Sequence, residues 1–218
     1  MRTLKNILVV VACSLICGCG TTNTNNVQPE AASPKSSSTF VHSSTKFSFP
    51  KSVGIFQRVN IQKYDREEKD VGVGYNSSIP IAATVIVYPG AKDFAVLPSP
   101  KLENVSESLL AHHFETCKQD VFRAHADAKL IGESPYTLIQ GNHRFEGKKA
   151  VFSMGYNFGF ANQESVSELY VFLIEPGVKF LLTERYFVTY RVTYPINKKA
   201  QAEAEVETFM ADLAWPTK

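Results

Sequence analysis

The residues with the most chemical capacity lie in one helical stretch, Ala111-His112-His113-Phe114-Glu115-Thr116-Cys117-Lys118-Gln119-Asp120. His113 and Cys117 are one turn apart and Asp120 follows on nearly the same face, so an imidazole, a thiolate and a carboxylate could converge on zinc. Against this, there is no second ligand pair and no HExxH pattern, and Cys117 falls on the apolar stripe of the same helix. An ordinary helix histidine beside a buried thiol competes with ligation. A second constellation lies on the strand Arg185–Tyr194. Arg191 stands mid-strand among aromatic-rich positions, where an unpaired charge is unfavourable. It could anchor an anionic ligand in a groove between sheet and helix, or pair with an acid on the neighbouring strand such as Glu168. Tyr186, Tyr190 and Tyr194 recur at period two, as core or cross-strand packing or as a platform for that ligand. Phe187, Thr189, Arg191 and Thr193 take the other face.

Three common catalytic signatures are missing. The chain has no GxSxG elbow, no GxxxxGK[ST] loop and no GxGxxG turn. Ser, His and Asp are present, but any chain of this size contains them, and a triad is defined by geometry. The expectation is a non-enzymatic protein that uses no cofactor.

The elements that must position these residues follow from periodicity. Lys46-Phe47-Ser48-Phe49-Pro50 reads as a short strand, Phe56 to Tyr64 alternates weakly, and Asp65 to Asp70 is a solvated hairpin end. Val71, Val73 and Tyr75 alternate with Gly72, Gly74 and Asn76. Ala82 to Tyr88 is apolar on both faces and must be covered on both, with Pro89-Gly90 ending it. After the Pro98–Pro100 loop, Asn104 and Glu107 form a capping box for a helix whose stripe is Val105, Leu109, Leu110, Phe114, Cys117 and Val121. Strands then follow at Ala128–Glu133, Tyr136–Gln140, Ala150–Tyr156, Ser165–Glu175, Lys179–Thr183 and Arg185–Tyr194. Ser134-Pro135, Gly141-Asn142, Glu146-Gly147 and Pro176-Gly177 serve as breaks. A last helix, capped by Asn197, carries Ala200, Val206, Phe209, Met210 and Leu213.

The start of the chain has a different character. Arg2 and Lys5 precede an uncharged apolar run from Ile7 to Ile16, then Ile16-Cys17-Gly18-Cys19. This resembles a bacterial lipoprotein signal ending in a lipobox, with an aliphatic residue three before the cysteine and a small one directly before it. The resemblance implies that residues 1–18 are removed and that Cys19 carries a diacylglyceryl thioether, with palmitate-type acylation of the new N-terminus. Val10-Val11-Ala12-Cys13 is a second possible box, but it leaves an apolar run of about six residues where roughly 7–15 are expected. A transmembrane helix needs about 20 apolar residues, which Ile7–Gly18 does not supply. A plain secretory signal would instead release a soluble protein.

Residues 19–45 are rich in Thr, Asn, Ser and Pro and read as a disordered tether. At about 26 residues its root-mean-square span is about 30 Å. Gly20 follows the acylated cysteine where Asp would resemble an inner-membrane retention signal, so the resemblance leans towards an outer-membrane anchor facing the periplasm. The whole chain has 23 Lys+Arg and 21 Asp+Glu, and loss of Arg2 and Lys5 leaves 21 of each. A neutral mature domain argues against a nucleic-acid partner. Four cysteines are present, and only Cys117 would remain as a free thiol, so no internal disulfide is expected.

Residues 46–218 then read as a single α+β domain: a mainly antiparallel sheet with two principal helices packed on it. Phe47-Ser48-Phe49-Pro50, the Tyr75-Asn76 to Val87-Tyr88-Pro89 segment, and Tyr190-Arg191-Val192-Thr193-Tyr194-Pro195 before a helix ending Leu213-Ala214-Trp215-Pro216 resemble the Mog1/PsbP-like superfamily. That resemblance implies an α/β/α sandwich and a binding or assembly role without a shared active site. The expected partners are the membrane, through the lipid, and another envelope protein. The alternative is a carrier of a small anionic ligand or a metal.

Overall fold

A strand that is apolar on both faces needs a cover on each side, and the computed structural model of the protein supplies both covers. It describes residues 39–94, 101–159, 161–175, 178–179 and 182–215. The leader, Cys19, the tether up to residue 38, the Pro98–Pro100 loop, the Pro176-Gly177 turn and Pro216 lie outside the described residues. From Ser37 onward the chain forms one compact unit.

In chain order the elements are β1 (Phe40–Val41), β2 (Ser48–Phe49), β3 (Ser52–Val53), β4 (Phe56–Lys63), β5 (Val71–Ser77), β6 (Ala82–Phe94) and α1 (Lys101–Ala124). There follow β7 (Lys129–Gln140), β8 (His143–Asn157), β9 (Asn162–Ile174), β10 (Val178–Lys179), β11 (Leu182–Pro195) and α2 (Lys199–Asp212). β1 and β2 form a small ribbon; the other nine strands form one antiparallel sheet in the order β3-β4-β5-β6-β11-β9-β8-β7, with β10 paired to β11. The fold class is therefore α+β, with a mainly antiparallel sheet and two helices.

Each face of the sheet has its own core. Alternation along β11 sends Tyr186, Val188, Tyr190, Val192 and Tyr194 towards α2, where they meet Val206, Phe209, Met210 and Trp215. Phe187 points the other way and packs with Phe114 and Val121 of α1 over Ala150, Phe152, Leu169 and Val171. The helices cover opposite faces, as the two-sided apolar pattern of β6 requires.

Several boundaries differ from the sequence expectation. Order begins before Lys46: β1 pairs with β2, and His42 and Thr45 are buried and bonded to each other at 2.8 Å. Ser134-Pro135 does not interrupt the sheet, because β7 is an edge strand and Pro135 sits opposite Lys148. A missing N–H is tolerated on an edge, where only one side of the strand is paired. Pro89 likewise lies inside β6, beyond the end of its ladder with β5 and beside a slip in its ladder with β11. Gly147 is a strand residue, not a turn: a Cβ there would collide with the Phe172 ring and the Val171 carbonyl. α1 starts at Lys101, so Asn104 lies within its first turn and is not the cap. Asn197 sits in a 3-10 turn, Ile196–Lys198, and α2 starts without a side-chain cap.

Candidate functional site

His113 and Cys117 do meet, and the sheet beneath them decides what they can do. α1 crosses the β6–β11 ladder where Tyr88 and Phe187 stand opposite each other. The His113 ring stacks on Phe187 at 3.9 Å between centroids and meets Tyr88 edge-on at 5.3 Å. Its Nε2 contacts the Tyr88 hydroxyl and lies 3.2 Å from Cys117 Sγ. Tyr88 Oη is also 3.3 Å from Thr189 Oγ1 and 3.8 Å from Cys117 Sγ. The result is a four-membered polar cluster bordering the α1 core.

Burial sets the protonation of this cluster. Desolvation pushes the His113 imidazole down to about 4, outweighing the nearby Asp120 charge. Desolvation raises the Cys117 thiol to about 11, while bonds from Tyr88 and Thr189 oppose the shift. Tyr88 is also raised, chiefly by burial. At neutral pH the imidazole is neutral and Cys117 is a thiol, the reverse of an activated thiolate–imidazolium pair. In the tautomer protonated at Nδ1, Nε2 accepts from the Tyr88 hydroxyl.

Asp120 does not join them. Its carboxylate pairs with Arg123 on the exposed side of α1. Among the described residues no three His, Cys, Asp or Glu side chains are grouped so as to hold a metal ion. The proposed His113–Cys117–Asp120 centre is therefore corrected to a half-buried pair plus a surface ion pair. The physical reason is angular: Cys117 turns into the core with Phe114 and Val121, and Asp120 lies outside that stripe.

The second constellation is split by the sheet. Tyr186, Tyr190 and Tyr194 are at most 1% exposed, sealed under α2, with Trp215 Nε1 donating to Tyr190 Oη at 2.7 Å. They offer no platform. Arg191 stands on the opposite face and cannot act with them on one ligand. Nor does it pair with Glu168, which lies on the tyrosine side, bonded to Lys149 Nζ at 2.7 Å and to Tyr170 Oη at 2.8 Å. The nearest bonded atom for the Arg191 guanidinium is Met154 Sδ at 4.0 Å.

Two Ser-x-x-Lys tetrads, a spacing used by some serine acyl-transfer enzymes, were missed in the sequence: Ser43–Lys46 and Ser48–Lys51. Lys46 Nζ donates to the Ser43 carbonyl oxygen at 2.8 Å, while Ser43 Oγ donates to the carbonyls of Glu67 and Glu68. No side-chain bond joins Ser48 to Lys51 among the described residues. Neither tetrad holds an activated hydroxyl. Tyr88 was also missed as a partner of His113, and Thr189 as a partner of Tyr88. Their strand positions were readable, but the crossing point of α1 was not. No protein-family model matches the chain, and no curated protein matches it either. Among the described residues no helix is long and apolar enough to cross a membrane.

Proposed function

We propose that the protein is an envelope lipoprotein, anchored by acylated Cys19 and carrying its α+β domain on a tether as a non-enzymatic binding or assembly-accessory module. The leader supports the anchor: a positive start, a short apolar run and Ile16-Cys17-Gly18-Cys19. The absence of Asp after Cys19 favours the outer membrane, with the domain facing the periplasm. The observation that carries binding over catalysis is the Cys–His pair found among the described residues: half-buried against Tyr88 and Phe187, with Sγ 3.2 Å from Nε2, it is held as thiol and neutral imidazole. A nucleophile needs the opposite state.

We also read the fold as Mog1/PsbP-like. The sequence segments behind that resemblance converge in space, which supports the reading. The Phe47 ring lies 5.5 Å from Trp215, Trp215 bonds Tyr190, and Tyr75 Oη donates to the Pro50 carbonyl at 2.9 Å.

The anchor is tested first. Cys19→Ala should abolish palmitate labelling of the chain and release it from the membrane fraction. Wild-type labelling and fractionation of the mutant would overturn the anchor. For the binding role, cross-linking in cells followed by pull-down should give one dominant envelope partner; recovery of abundant porins alone would count against it.

A further inference from the structure

The fold pairs its covered cations with care, and Arg191 departs from that habit. Lys118 is bridged to Glu115 at 2.8 Å and contacts Glu133. Lys149 meets Glu168 at 2.7 Å, and Arg185 on the same strand as Arg191 meets Glu175 at 3.0 Å. Arg191 is only partly exposed, yet among the described residues it has no carboxylate partner. A thioether sulfur at 4.0 Å accepts weakly and neutralises nothing. A desolvated guanidinium with five donors and no counter-charge is unfavourable unless something outside the chain supplies the charge.

The surroundings suit that supply. On β11 and β9, Arg191 is level with Leu169, and Met154 on β8 is level with Ser165. The side chain must therefore run diagonally across β9, over the row that holds Ser167 and Thr193. Those two hydroxyls are buried and 3.0 Å apart. One proton serves the bond between them, which leaves the second free to donate. Tyr156 and His125, whose rings are 6.4 Å apart, lie where α1 gives way to β7. After burial, the charge of Arg191 is the next cause lowering His125, and Tyr156 acts on Arg191, so all three share one neighbourhood. Asp127, the acid beside them, accepts at Oδ2 from the Gly155 amide N–H at 2.6 Å.

We propose that Arg191 anchors a site for a small oxyanion, a phosphate or carboxylate group, on the α1 face. The Ser167–Thr193 hydroxyl pair, His125 and Tyr156 would line it. The site is independent of the lipid anchor and of the protein-partner reading. It needs no thiolate, no metal and none of the core tyrosines. The guanidinium supplies charge and a planar donor fork, and a hydroxyl supplies a further donor.

The test uses the full-length protein with 15N-labelled arginine. Inorganic phosphate, glycerol 3-phosphate, acetate and phosphatidylglycerol vesicles are added in turn at matched ionic strength, with chloride as control. A saturable shift of the Arg191 Nε–H signal with any of the oxyanions, and none with chloride, is expected. A response to the soluble anions assigns a soluble ligand, and a response confined to vesicles assigns a lipid head group. Arg191→Met should weaken the same binding by about tenfold or more, read by a thermal shift. It should leave the ligand-free Tm unchanged or raised, because it removes an uncompensated charge. An Arg191 signal that no oxyanion moves overturns the site without reference to any variant. So does undiminished binding by Arg191→Met.

Discussion

At the scale of single residues, burial decides the chemistry. Cys117 looks like a ligand or nucleophile in the sequence because a histidine stands one turn away, and the two atoms do lie 3.2 Å apart. Yet burial raises the thiol from its ordinary 9.0 to about 11, so at neutral pH its thiolate fraction is about 100-fold below that of an ordinary cysteine. Alkylation of Cys117 by iodoacetamide, followed at the peptide level by mass spectrometry, should therefore be slow and should rise with an inflection near 11. A profile that levels off at or below about 8.5 would show that the core does not hold the thiol protonated. Arg191 shows the converse. Its charge is read easily from the sequence, but that it has no carboxylate partner among the described residues appears only once Glu168 is seen on the other face.

At the scale of elements, the end of α2 rests on one side chain from a strand 70 residues earlier. Gln140 Nε2 donates to the carbonyls of Met210 at 2.7 Å and Leu213 at 2.9 Å, and its Oε1 accepts from the Trp215 amide at 2.9 Å. This single amide satisfies three backbone groups where a helix terminus would otherwise leave them orphaned. Gln140→Leu keeps the volume and removes all three bonds, each unsatisfied buried group being worth about 1–3 kcal/mol. Allowing for partial rescue by water, urea unfolding should show a loss of about 3 kcal/mol. Trp215 is the only tryptophan, so its emission should shift to the red in the same variant. An unchanged urea midpoint would mean that Gln140 is not the cap. The sequence places Gln140 at a strand end and Trp215 after a helix. Nothing in local periodicity joins them.

At the scale of the whole molecule, acid should loosen the fold through its partly desolvated histidines. His113 is lowered to about 4, and His42 and His125 are lowered as well, all three chiefly by desolvation. The unfolded chain takes up their protons near 6.5, so the stability they contribute is present above that pH and lost as it falls towards about 4. Asp70 acts in the opposite sense. Burial raises it to about 6, so its contribution is present below the ordinary value of 3.8 and declines as pH rises through about 6. Three groups oppose one, and Tm should fall on acidification from pH 6.5 to 4. His113→Phe should flatten that fall. A Tm that rises over this interval would show that Asp70 outweighs the histidines. His42 ties the consequence to architecture: it joins the β1–β2 ribbon to the β4–β5 turn through Thr45 and the Lys69 carbonyl.

The sequence by itself determined what depends on neighbours along the chain. Period-two alternation in β11 assigned its two faces, and the two-sided apolar run of β6 required cover on both. The three- and four-residue spacing of Leu110, Phe114, Cys117 and Val121 placed Cys117 on the inner side of α1. Tertiary structure alone decided what depends on which element crosses which. Pro135 and Pro89 were read as breaks because local steric rules say so, but an edge and a ladder slip absorb them. The same rule explains the site: His113 gains Tyr88 and Phe187 only where α1 crosses the β6–β11 ladder. Among the described residues Arg191 is left without a carboxylate because the strand pleat turns Glu168 away from it. Spacing along a chain fixes direction from the backbone; charge, burial and partnership are fixed by residues that the chain brings in from far away.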